Sequence, residues 1–63
     1  MIGKLCYINA AKIPLFSTRD WVSLNLNDVV LVLETSRQFD DEVRVLSSQR
    51  GVGFVWKKHL NEL

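Results

Sequence analysis

Three groups of side chains in this 63-residue chain are of types that could do chemistry. Asp40, Asp41 and Glu42 are consecutive carboxylates, able in principle to hold a cation or to share a proton in acid–base catalysis. They fall in "RQFDDE", Arg37 to Glu42, which reads as a polar hairpin loop. Water solvates carboxylates at a loop tip, so the expectation is a solubilising or peptide-facing role. Cys6 and His59 are the only cysteine and the only histidine. In a small barrel whose first and last strands are neighbours they could meet as nucleophile and base, whereas a buried Cys6 acts as a small hydrophobe. The second state is the expected one. Arg50, Phe54, Trp56, Lys57, Lys58 and His59 form the third group. Small barrels hold single-stranded nucleic acid by stacking bases on exposed rings while Lys and Arg follow the phosphates. Within it, Arg50, Trp56, Lys57 and Lys58 are the candidate nucleic-acid contacts. The chain has no Ser-His-Asp set, no glycine-rich phosphate loop and no metal-spaced cluster, so a non-enzymatic protein with no cofactor and no metal is expected.

The totals fit one small domain spanning residues 1–63. Hydrophobic residues make up 48% of the chain and charged ones 24%, enough apolar surface to offset chain entropy. A chain of this length buries only about 60% of its unfolded surface, so self-association or docking on a partner would help it. The formal net charge is +1, without the basic excess usual in nucleic-acid binders. A single cysteine excludes an internal disulfide and a cysteine-based zinc site, which favours the cytoplasm or the interior of a virion over secretion. The start, "MIGKLCYINA", is too short in its apolar run for a signal peptide, and no stretch approaches the ~20 apolar residues of a membrane span. A soluble, unprocessed chain is therefore expected, with no membrane partner.

The elements that must position these side chains read as strands. Ile2 to Ile8 is short and apolar, "NAAK" is a turn, and "IPLFS", Ile13 to Ser17, is extended. Pro14 there has no N–H for a ladder, which assigns the piece to an edge or a long hairpin loop. "TRDW", Thr18 to Trp21, reads as a loop with one large apolar anchor. Ser23 to Asn27 alternates, Asn27-Asp28 turns, and Val29 to Thr35 is a β-branched strand. Alternation sets Val30, Val32 and Glu34 on one face and Val29, Leu31, Leu33 and Thr35 on the other, so both faces need partial cover. Val43 to Ser48 alternates with Val43, Val45 and Ser47 on one side. In "VGFVW" Val52, Phe54 and Trp56 share a face, and Phe54 is expected to point into the core with Trp56 following it or lying at the rim. Gly51 suits a turn needing positive φ, and Gly53 a bulge or tight corner. "KKHLNEL" is too short for a stable helix and fits a 3₁₀ turn followed by a last extended pair. Five short strands with turns between them predict an all-β barrel or sandwich.

The order of these pieces resembles an SH3-like barrel over nearly the whole chain. "LNLNDVVLVLE" resembles the family's diverging turn and the strand after it, "DDEVRVLSS" the strand after the n-Src loop, and "QRGVGFVWKKHLNEL" the distal turn, the Gly-aromatic-Val strand, the 3₁₀ turn and the closing strand. The resemblance implies a five-stranded SH3-like barrel with a short 3₁₀ turn before the last strand, acting as a protein-interaction or structural module. It also implies a partner-binding surface between the long first loop and the n-Src loop, formed by Tyr7, Phe16, Trp21, Phe39, Asp40, Asp41 and Trp56. Departures bear on what is bound. The first strand offers only Tyr7, the third begins "EVRV" without a tryptophan, and the turn reads "WKKHL" without Pro or Tyr, so most of the aromatic groove that reads a polyproline helix is missing. The pattern "GKLCYI…KIPLF…GFVWKKHL" also looks like small proteins of tailed phages, including those infecting marine cyanobacteria, which implies a phage origin. The alternatives to a protein partner are the nucleic-acid contact named above and symmetric self-association through an exposed edge strand.

Overall fold

The protein is described by a computed structural model covering residues 2–17 and 21–63, with Trp21 described by its backbone alone. Thr18, Arg19 and Asp20, most of the expected "TRDW" loop, lie outside the described residues. Among the described residues seven strands form: β1 (Leu5–Ile8), β2 (Ile13–Phe16), β3 (Trp21–Leu24), β4 (Val29–Thr35), β5 (Glu42–Ser47), β6 (Gly51–Trp56) and β7 (Leu60–Glu62). All pairings are antiparallel and build one curled, half-barrel sheet in the order β3-β2-β6-β5-β4-β1-β7. The chain is thus all-β as expected, with seven strands where the sequence reading counted five. The count differs because Trp21 to Leu24 pairs back on β2 as a hairpin, and that partner for Ile13 to Phe16 is visible only in three dimensions. Lys57–His59 makes the expected 3₁₀ turn, closed by the Leu60 N–H donating to the Lys57 carbonyl, and the chain then enters β7.

The core lies on the concave side. Val43, Val45 and Ser47 of β5 are buried on one face, as their alternation predicts, and meet Val30 and Val32 of β4, Cys6 and Ile8 of β1, and Leu15 and Leu24 of the hairpin. Burial of these aliphatic side chains is the main favourable contribution, roughly 1.5–3 kcal/mol for each full side chain. On β4 the expected faces hold as far as Val32. There the register with β5 shifts between Val32 and Glu34, so Leu33 is the extra residue of a bulge and Glu34 leaves the valine face to lie opposite Arg44. The shift keeps a carboxylate out of the core, with an exposed ion pair of 3.3 Å to Arg44.

On β6 the faces are the reverse of the expectation. Gly53 and Val55 are buried, whereas Val52, Phe54 and Trp56 turn outward, fully or in part exposed. Glycine explains the inversion: a Cβ at Gly53 would stand 2.5 Å from the Phe16 carbonyl oxygen and 2.8 Å from Leu15 Cγ. The missing side chain lets β2 cross close over β6 at that point. The β5–β6 register runs unbroken past Gly53, so the residue serves this close approach rather than a bulge. Gly51 does occupy the positive-φ turn position, at φ 85°.

Proline sets the ladder of the hairpin. Pro14 lies opposite Ser23 but has no N–H, so β2 and β3 can exchange bonds only through Ile13–Leu24 and Leu15–Val22. Pro14 and Phe16 therefore turn their backbone groups toward β6, where Phe16 pairs with Phe54, the one β2–β6 pairing among the described residues. On β3, by the same parity, Trp21 and Ser23 turn theirs away from β2. Beyond β3 the chain reverses through Asn27, at φ 71°, where the Asn25 N–H donates to Asp28 Oδ2 at 2.8 Å and the Asp28 N–H to the Asn25 carbonyl at 3.1 Å. This Asn-Asp turn is tied to β1 by the Asn27 N–H donating to the Ile8 carbonyl.

Candidate functional site

The site grows from the loop between β4 and β5. Ser36 Oγ accepts from the N–H groups of Gln38 (3.1 Å) and Phe39 (3.3 Å), a local turn that Ser favours because its hydroxyl substitutes for a backbone acceptor. The Ser36 N–H donates to the Glu42 carbonyl, and the Glu42 N–H to that of Phe39, which closes the loop base. A further bond, Lys57 N–H to the Asp41 carbonyl at 2.7 Å, ties the loop to the 3₁₀ turn. These bonds hold Phe39 over the end of β6. Its ring meets Trp56 edge to face, centroids 6.0 Å apart and planes at 64°, a favoured aromatic geometry.

Beside this pair runs a groove of about 460 Å³ with the β4–β5 loop as one wall, Phe16 of β2 and Phe54 of β6 as the other, and Glu34, Arg37 and Glu42 also on its lining. Phe16 and Phe39 are 42% and 50% exposed, so the apolar surface of the groove is open to a partner. A second hollow lies at Asp41, Trp56 and Lys58. Rigid rings with carboxylates around them suit an apolar side chain flanked by a cationic one.

Of the expected partner-binding residues, Phe16, Phe39, Asp41 and Trp56 come together here. Asp40 is exposed on the same loop and lines neither hollow. Tyr7 does not join them: it pairs with Val29 and Asn61, on β1, and β4 and β5 stand between that strand and β6. Trp21 lies opposite Phe16 in the β2–β3 register, and its side chain is outside the described residues. Phe54 is the groove residue that the sequence reading missed, having put it in the core. The available signal was Gly53, since a glycine that must face inward forces its neighbours outward.

The basic set is split. Lys57 and Lys58 follow β6, whereas Arg50 precedes it, about 20 Å away at the rise of an extended strand. Trp56 stays beside the two lysines. The cysteine–histidine pair does not form either. Cys6 is fully buried opposite Glu62, and His59 lies three positions further along, about 10 Å off. Burial, with help from the Glu62 charge, raises the Cys6 pKa, so the thiol keeps its proton and acts as core. Among the described residues no three His, Cys, Asp or Glu side chains are grouped to hold a metal ion, and no helix is long and apolar enough to cross a membrane.

A second outward feature has no counterpart in the sequence reading. Leu5, Leu31, Leu46 and Val52 stand opposite one another in successive registers, a row of aliphatic side chains across four strands. It gives the convex side apolar cross-strand contacts of the kind that stabilise sheets. No family model, curated protein or solved structure matches the chain.

Proposed function

We propose that the chain is an SH3-like barrel of phage origin, working in the host cytoplasm or the virion as a non-enzymatic module that binds a protein partner. Three features support the barrel type. β4, β5 and β6 form a meander, β1 pairs with both β4 and β7, and a 3₁₀ turn links β6 to β7. The β2–β3 hairpin then corresponds to the family's long first loop, and the β4–β5 loop to the n-Src loop. The observation that carries the function is the groove between those two features, with Phe16, Phe39 and Phe54 on its lining and Trp56 edge-on to Phe39.

Exposed phenylalanines cost solvation in the free protein, and a partner's apolar side chain relieves that cost. Asp40, Asp41 and Glu42 outnumber Arg37 along this loop, which favours a partner segment that also carries Lys or Arg. Screening a random peptide library tests this: ligands enriched in an apolar residue near a basic one are expected, with binding lost in Phe39→Ala and Phe54→Ala and, for the exposed Phe39→Ala, a thermal midpoint close to the parent's. Peptide capture that survives both substitutions overturns the site.

Nucleic acid is the second reading, favoured only by Trp56 beside Lys57 and Lys58. Two lysines neutralise about two phosphates, giving a slope near −1.4 in log K against log salt, too few contacts for tight binding. A labelled single strand titrated at low salt separates the readings.

A further inference from the structure

The two edges of the sheet differ in how they are protected. β7 is three residues long and follows the Lys57, Lys58, His59 run, and shortness and charge both discourage edge pairing. β3 is only one residue longer, at four, but lacks the charge: from Trp21 to Asn27 there is no charged residue, no proline and no glycine. The Pro14 parity turns the N–H and C=O groups of Trp21 and Ser23 to that open edge. The next outward amide, that of Asn25, already donates to Asp28 Oδ2, so the available edge is the short run centred on Val22.

We propose that β3 is the pairing edge of a two-fold dimer of this chain. With the axis at Val22, Trp21 of one copy faces Ser23 of the other, and both are hydrogen-bonding positions. Each of the two symmetric pairs exchanges two backbone bonds. Val22 then faces its own counterpart at the narrow, non-bonded position between them. The occupant is a second copy because the run is self-complementary in this register and brings no like charges together, so two identical strands meet without repulsion. The contact is short, which makes the dimer weak and concentration-dependent. It is independent of the groove, so its failure leaves the peptide-binding reading untouched.

Sedimentation of the full chain from micromolar to millimolar concentration is expected to show the mass rising toward twice the monomer. Ser23→Ala keeps the backbone and should dimerise like the parent. Ser23→Pro removes a donor that the monomer does not use and should hold the mass at the monomer value. Should Ser23→Pro fail to fold, amide hydrogen exchange of the parent decides: the Trp21 and Ser23 amides are expected to slow severalfold at high concentration. A mass that stays monomeric throughout, or a dimer in which those amides exchange unchanged, overturns the proposal.

Discussion

A methyl group added at Gly53 would meet the Phe16 carbonyl oxygen at 2.5 Å and Leu15 Cγ at 2.8 Å. Backbone on one side and a buried leucine on the other leave little room to yield. Gly53→Ala should therefore cost about 1–3 kcal/mol, the usual range for overpacking, in urea unfolding. Gly51 differs in kind: nothing stands within 4 Å of a Cβ there, and its constraint is the positive φ alone. At Cys6 the consequence is a pH dependence. Burial raises its folded pKa, so as pH climbs past about 8.5 the unfolded chain releases a thiol proton that the native chain still holds. The stability tied to this thiol is complete below that pH and declines as pH rises toward the folded pKa. Cys6→Ala should flatten the alkaline fall in a series of unfolding curves between pH 7 and 10, with a constant offset for the lost packing. An unchanged slope would remove the thiol from the account.

At the scale of elements, the sequence was legible wherever a local rule decided the outcome. Val29 to Thr35 is a strand with the expected bounds, Asn27-Asp28 is the turn before it, and the inward set Val43, Val45 and Ser47 follows from a period of two. What failed to show depended on partners distant in sequence. β6 carries apolar residues on both faces, so alternation alone could not choose the inner one, and size pointed to Phe54. The choice is made by β2, which needs Gly53 bare to cross it. The bulge at Leu33 was equally invisible, because a register shift is a property of two strands and not of one. The groove shares this division. Phe16, Phe39, Asp41 and Trp56 were named from aromatic and acidic types near two loops, while Tyr7 was included by analogy with a first strand that the strand order keeps away from the site.

At the scale of the molecule, the size of the core decides how much change the fold tolerates. Among the described residues, eleven hydrophobic ones are buried. A chain of this length has a net stability of only about 3–9 kcal/mol by the usual per-residue range. Val45 lies at the centre, fully buried on a strand flanked by β4 and β6, so trimming it leaves a cavity that neither neighbour can collapse into. Val45→Ala should cost about 2–3 kcal/mol, which in a domain of about 60 residues lowers the thermal midpoint by roughly 10–20 °C. Val52→Ala removes the same atoms from the convex row, where the side chain is 38% exposed, and should lower it by only a few degrees at the same scaling. Thermal melts of the two variants side by side test whether the concave side alone is the core. Equal losses would mean that the row Leu5, Leu31, Leu46, Val52 is also covered in solution, and the stability of this small barrel would then belong to an assembly rather than to the single chain.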